Sequence, residues 1–218
     1  LHKKVIKELD GMPVFRHVHE QLSKSRKIDR IAFALADEPG IGELTESLNR
    51  NSIDYMLGPA VDVFERYHLA SIKYHADVVV RITCDCPLLS PQLVDQLICL
   101  RESSGFDYVS NIDPPTFPNG LDVEVFSRES IGRLKRLTLT DYDREHVTPK
   151  IRLDDDFKRL NVSQNVDQSH LRMTLDTQED YNFLASLLET YPDIKNFELS
   201  RLCRTVSEHQ NGWKERRT

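Results

Sequence analysis

Short apolar runs and amphipathic stretches alternate along the first half of the chain. Ile31-Ala32-Phe33-Ala34-Leu35-Ala36 is an unbroken apolar run of strand length, stopped by Asp37-Glu38-Pro39-Gly40. Asp54-Tyr55-Met56-Leu57 reads as a second strand closed by Gly58, and Ala76-Asp77-Val78-Val79-Val80 as a third, buried on both faces as in a parallel sheet. Between them the period changes to that of helices: Val14, Phe15, Val18 and Leu22 after Pro13, Ile41, Leu44 and Leu48, and Val61 to Tyr74 with Phe64, Tyr67 and Ile72. Ser90-Pro91 then opens a helix with Leu93, Val94, Leu97 and Ile98 on one face. Strand, helix, strand with short connections predicts βαβ units and a mostly parallel sheet covered on both faces.

The second half departs from that rhythm. Ile112 to Gly120 holds three prolines and cannot be a regular element. Leu121-Asp122-Val123-Glu124-Val125-Phe126 alternates with period two, so Asp122 and Glu124 share one face. That face is expected to be either a site for sugar hydroxyls or simply the wet side of a half-buried strand. Ser127 caps a helix through Ile131, Leu134 and Leu137. Arg159 to Val162 and Leu171 to Leu175 read as strands, and Thr177 with Asp180 resembles a capping box for the helix of Tyr181, Leu184 and Leu188. A last amphipathic helix runs through Leu199, Leu202 and Val206.

The 218 residues suffice for one α/β domain and show no composition break, so residues 1–218 are read as a single domain. A net charge of −6 opposes a nucleic-acid surface, which needs a dense basic field. No apolar run approaches the roughly 20 residues of a membrane span, and the four scattered cysteines fit a reducing compartment, so the expectation is a cytoplasmic protein.

Two acids occupy strand-to-helix corners. Asp85 follows the third strand and Asp176 follows Leu171 to Leu175. Open α/β sheets bind ligands at the carboxyl ends of their strands, and Mg²⁺ takes one or two protein carboxylates, leaving its other positions to water and phosphate. Asp85 is thus read as a metal or phosphate ligand, with a turn cap as the plain alternative. Lys3 and Lys4 offer charge to a triphosphate or are simply solvated. Arg144, Glu145 and His146 form a dense polar cluster whose spacing alone gives no more than an exposed helical turn.

RITCDCPLLSP, PNGLDVEVFS, DREHVTP and LRMTLDTQEDY, in this order and at these separations, resemble the cytidylyltransferases of the spore-coat polysaccharide type, relatives of the acylneuraminate and 3-deoxy-manno-octulosonate cytidylyltransferases. The resemblance runs from Leu1 to about Tyr191. It implies a three-layer nucleotide-diphospho-sugar transferase fold, related to Rossmann folds, with a mixed, mostly parallel sheet. It also implies transfer of CMP from CTP to a sugar or sugar acid with release of pyrophosphate, in a homodimer. Position by position, it gives Asp85 and Asp176 to Mg²⁺, and Lys4, Arg81, Cys84 and Asp85 to the nucleotide. Asn119, Gly120, Asp122, Glu124, Arg144, Glu145 and His146 go to the sugar. Several positions depart from the pattern. The family's first strand and most of its phosphate loop have no counterpart, which leads to the expectation that the sequence is incomplete at its start. His2 and Lys3 stand for Pro-Gly, Cys84 for a glycine, and Ala36 to Gly40 for a Thr- and Asp-rich stretch. A degenerate binding homologue is the first alternative. A glycosyltransferase of the same fold is the second, though Cys84-Asp85-Cys86 is not the Asp-x-Asp motif such an enzyme would use.

Overall fold

The computed structural model describes residues 4–215; His2 and Lys3 lie outside them. A one-turn 3₁₀ helix at Lys4–Ile6 leads into a small hairpin, β1 (Glu8–Leu9) and β2 (Met12–Pro13). Helix α1 (Val14–Leu22) starts directly after Pro13 and buries Val14, Phe15, Val18 and Leu22, the stripe predicted from spacing. Then come β3 (Ala32–Ala36), α2 (Gly42–Arg50), β4 (Asp54–Gly58), α3 (Val63–Lys73) and β5 (Val78–Arg81). The side chain of Asp62 caps α3 by accepting from the Glu65 amide. Helix α4 (Pro91–Ser104) is capped by Ser90 and ends on Gly105. The second half holds β6 (Tyr108–Ser110), β7 (Glu124–Ser127), α5 (Arg128–Lys135), α6 (Asp141–His146), α7 (Pro149–Leu153), β8 (Arg159–Asn161), α8 (Gln178–Thr190) and α9 (Leu199–Glu215).

β3 and β4 pair in parallel, and β5, β7, β6 and β8 form a second sheet in that order. Within it β7 runs antiparallel to both β5 and β6 while β8 is parallel to β6, so β7 is the one reversed strand. The mixed, mostly parallel α/β sheet expected from the sequence is the fold observed. The main core lies on one face of the four-stranded sheet, where α1, α4, α8 and α9 bring Leu89, Leu93, Leu97, Leu184, Leu187 and Val206 together. Phe64, Phe126, Ile131, Ile151 and Phe157 fill the other face beneath α3, α5 and α7.

Two expectations about strands need correction. Val78, Val79 and Val80 are only half-buried, not enclosed on both faces. Among the described residues β3 pairs with β4 alone and β5 with β7 alone. β3 and β5 line a common cavity of about 640 Å³, whose walls also include Arg66 and Tyr67 of α3, Tyr74 just after it, Thr83 and Cys84. Nor do residues 171–175 form a ladder strand. They are extended and make one bridge, between Arg172 and Asn119. Their backbone groups are satisfied by a loop and a turn instead: Asn119 N–H donates to Leu171 C=O, Met173 N–H to Asn119 C=O, and Leu175 N–H to Asp85 C=O. Alternation still decides their burial, with Leu171, Met173 and Leu175 in the core.

Candidate active site

The strand exit at β5 and the amino end of α8 meet at two carboxylates and a lysine. Leu175 N–H donates to Asp85 C=O at 2.9 Å, which ties the residue before Asp176 to the Asp85 turn. Lys4 Nζ lies 2.7 Å from Asp85 Oδ2 and 2.8 Å from Asp176 Oδ1, so residues 81 and 172 positions away in sequence share one cation. Burial opposes ionisation of Asp85, but the Lys4 ammonium and the Thr83 hydroxyl outweigh it and hold the carboxyl below its ordinary range. For Lys4, burial would lower the pKa, and hydrogen bonds to Asp176 and Asp85 raise it instead.

Asp176 is steadied from its other side. Arg172 donates both to Asp176 and, through two nitrogens, to Asp180. Thr177 and Asp180 complete the predicted capping box of α8, and Asp180 also accepts from the Asp176 amide. Against the cost of burial, Arg172 and these amides bring the Asp180 carboxyl down to about 2. Arg172 and Asp180 are site residues that sequence reasoning did not assign. The only signal was an arginine four residues before Asp176, and no spacing rule covers an arginine in an extended segment.

Arg81 and Glu124 come together on adjacent strands, paired by the β5–β7 register. Glu124 is 2 % exposed. Besides Arg81, it accepts from the Tyr108 hydroxyl at 2.6 Å and from Thr148. It is therefore not the wet side of a strand, and its carboxylate oxygens are engaged by three side chains. Thr148 reaches it because Val147 sits at φ +70°, ψ −50°, with Thr148 N–H donating to His146 C=O at 2.8 Å. This is the rare left-handed γ-turn, a backbone state that costs a β-branched residue of the order of 1–3 kcal/mol.

Asp122 precedes the ladder and is half-buried. Burial first, then the charges of Glu124 and Asp85, push its carboxyl up to about 6. Asn119 and Gly120 lie against residues 171–173: Gly120 has φ +109°, and a Cβ there would stand 2.9 Å from the Met173 carbonyl carbon. Cys84 is half-buried against the small cluster of Phe15, Leu44 and Leu48, and burial raises its thiol to about 12, so it is a neutral packing group. Arg144, Glu145 and His146 occupy the exposed side of α6, where Arg144 pairs with Asp62 at 2.6 Å and His146 packs against Tyr142 with ring planes tilted by 56° and centroids 4.3 Å apart.

A mostly parallel α/β sheet with carboxylates converging at a strand exit and a helix start places this molecule among the nucleotide-handling α/β proteins. More narrowly, the chain belongs to the Cytidylyltransferase family, whose model matches residues 1–209. It is 29 % identical over 205 residues to an uncharacterized protein of Methanocaldococcus jannaschii, covering 93 % of this chain and 83 % of the relative. Against the spore coat polysaccharide biosynthesis protein SpsF of Bacillus subtilis it is 26 % identical over 181 residues, 80 % of this chain and 74 % of that one. The structure of a cytidylyltransferase from Leptospira borgpetersenii superposes with a TM-score of 0.89 at 25 % identity, over 97 % of this chain and 90 % of the other. The chain's reaction is thus nucleotidyl transfer of the cytidylyltransferase type. Among the described residues no helix is long and apolar enough to cross a membrane.

Proposed function

We propose that the protein transfers CMP from CTP to a sugar or sugar acid, releasing pyrophosphate, in the assembly of a cell-surface polysaccharide, with Mg²⁺ held by Asp85 and Asp176. The observation that carries this reading is the convergence of those two carboxylates on one small cation, the Lys4 ammonium. The donor set suits the metal: both groups are hard oxygen donors. Mg²⁺ takes one or two such protein carboxylates and draws its remaining ligands from water and phosphate. The polysaccharide context follows the printed name of the Bacillus subtilis relative.

Bound there, Mg²⁺ would neutralise charge on the phosphate oxygens during displacement at the α-phosphorus. The chain's own residues do the rest by position and charge. Asp180 fixes the Asp176 backbone and Arg172 fixes its side chain, so that carboxylate is presented in one orientation. Asp85 is held at the end of β5 by the Leu175 amide and the Thr83 hydroxyl. Asn119, Gly120 and Asp122 border this corner through their contacts with residues 171–173 and the field Asp85 exerts on Asp122, and they are the residues we assign to the sugar. Arg81 and Glu124 brace the floor as a buried pair, in place of the direct nucleotide and sugar contacts expected from the sequence.

The test is calorimetric titration with CTP, ATP, GTP and UTP, with Mg²⁺ present and chelated, followed by pyrophosphate release with a panel of sugars and sugar acids. The expected result is Mg²⁺-dependent binding selective for CTP, lost in Asp85→Asn and in Asp176→Asn while circular dichroism and the melting temperature stay near those of the parent. Full activity in both variants would overturn the metal site; selective binding of another nucleotide would overturn the CTP assignment.

A further inference from the structure

The position between Asp85 and Asp176 is filled by the chain itself, and this bears on how a divalent cation gains access. Lys4 Nζ contacts one oxygen of each carboxylate at 2.7 and 2.8 Å. Mg²⁺ would bind the same oxygens at roughly 2.0–2.1 Å, so ammonium and metal exclude one another from that place. The other cation at the site behaves differently. Arg172 is anchored by two nitrogens on Asp180 and so remains on Asp176 whichever cation lies between the acids.

We propose that Lys4 is a built-in competitor of the divalent cation. Its ammonium closes the acid pair in the nucleotide-free protein, and metal enters only as Lys4 moves off, with the triphosphate of the incoming nucleotide as its new partner. The proposal rests on the reading of Asp85 and Asp176 as the metal site. Three features support it. Lysine carries a compact charge on a flexible four-carbon stem with three donors, which lets it move between carboxylate and phosphate oxygens without losing hydrogen bonds. The backbone beneath it is anchored, because Lys7 N–H donates to Lys4 C=O and Val5 and Ile6 pack against the Phe15 and Leu48 cluster, so the stem alone needs to swing. Finally, among the described ion pairs of this corner, Lys4 and Arg172 offset two of the three charges of Asp85, Asp176 and Asp180. The remainder is poor attraction for a divalent ion until Lys4 departs and a polyphosphate arrives.

The consequence is ordered entry: metal affinity is weak without nucleotide and strong with it. The experiment titrates the full chain with Mn²⁺, following free Mn²⁺ by electron paramagnetic resonance, with and without CTP. Lys4→Met keeps the stem and removes the charge, and it should bind Mn²⁺ at least tenfold tighter than the parent in the absence of CTP; adding Asp85→Asn to it should abolish that gain. A second readout uses the parent alone, so that it survives a misfolded variant: acylation of Lys4 by an amine-reactive ester, measured by mass spectrometry without CTP, should rise at least threefold at Mn²⁺ concentrations high enough to saturate the weak nucleotide-free site. If the variant binds no tighter and Lys4 reactivity does not change, while CTP still brings Asp85-dependent Mn²⁺ binding, the competitor role is wrong and the metal site stands. Absence of Asp85-dependent Mn²⁺ binding under every condition would overturn both.

Discussion

Asp122 carries a carboxyl group whose ionisation the fold opposes. Its pKa rises from the ordinary carboxylate range to about 6, chiefly through burial and then through Glu124 and Asp85. A group that holds its proton more tightly folded than unfolded favours the folded state at low pH, and that advantage is lost as pH climbs through the interval between the two pKa values. Above about pH 6 the ionised carboxylate is a standing cost. Asp122→Asn should therefore stabilise the protein by about 1–2 kcal/mol at pH 7.5, a magnitude reduced from the full shift because the residue keeps some solvent. The gain should shrink to nothing near pH 4. Paired urea melts of parent and variant at the two pH values measure it; a gain independent of pH would mean that the charge is not its source. The alternation of Leu121 to Phe126 correctly put Asp122 and Glu124 on one side of the chain, yet it gave no hint of their separate environments. Arg81, Tyr108 and Thr148 come to Glu124 from β5, β6 and the turn after α6, and only the folded sheet brings them there. Asp85 and Asp176 were legible because each closes an apolar run at a corner, a local feature that the sequence displays directly.

Among the elements, the pinned segment 171–175 does most to set the site. Burying Leu171, Met173 and Leu175 contributes roughly 1.5–3 kcal/mol each, and the loop at Asn119 and Gly120 supplies the backbone partners that a neighbouring strand would otherwise give. The alternating pattern made this segment look like a strand because alternation reports which face is buried, not which partner takes the hydrogen bonds. Gly120 permits the arrangement. Its φ of +109° is open to glycine, and a Cβ would meet Met173 backbone 2.9 Å away, with nothing flexible there to yield. Gly120→Ala should cost about 2–4 kcal/mol from strain and overlap together. Because the displaced segment leads straight into Asp176, CTP-dependent turnover should fall with it. The measurements are the urea midpoint at unchanged m and the rate of pyrophosphate release. A loss under 0.5 kcal/mol would mean that residues 118–120 move aside without cost.

At the scale of the whole molecule, the sheet is in two pieces, and their stabilities should differ. β3 and β4 form a two-stranded parallel sheet resting on the small cluster of Phe15, Leu44, Leu48 and Ile53, whereas β5, β7, β6 and β8 are packed on both faces by the two larger clusters. A two-stranded sheet has little stability of its own, and among the described residues β3 and β4 pair only with one another. The βαβ rhythm made β3, β4 and β5 legible in the sequence, and alternation did the same for β7 and β8, while β6 (Tyr108–Ser110) was not assigned. The division between the sheets had no signal, since a row of apolar residues looks the same whether or not a neighbour pairs with it. Local opening follows regions of few apolar contacts and unpaired backbone. The unit from β3 through α2 to β4 should therefore open below the global unfolding free energy. Native-state hydrogen exchange across a urea series should show amides of Phe33 to Leu35 and Tyr55 to Leu57 exchanging through an opening of small m. Those of Val125 and Phe126 should wait for global unfolding. The half-buried valines of β5 should follow β7, with which they are laddered, rather than β3 across the cavity. If all the strands instead exchanged through one opening of full m, the two sheets would be a single cooperative unit. The helices α1 and α3, which touch both sides of the cavity, would then be what couples them.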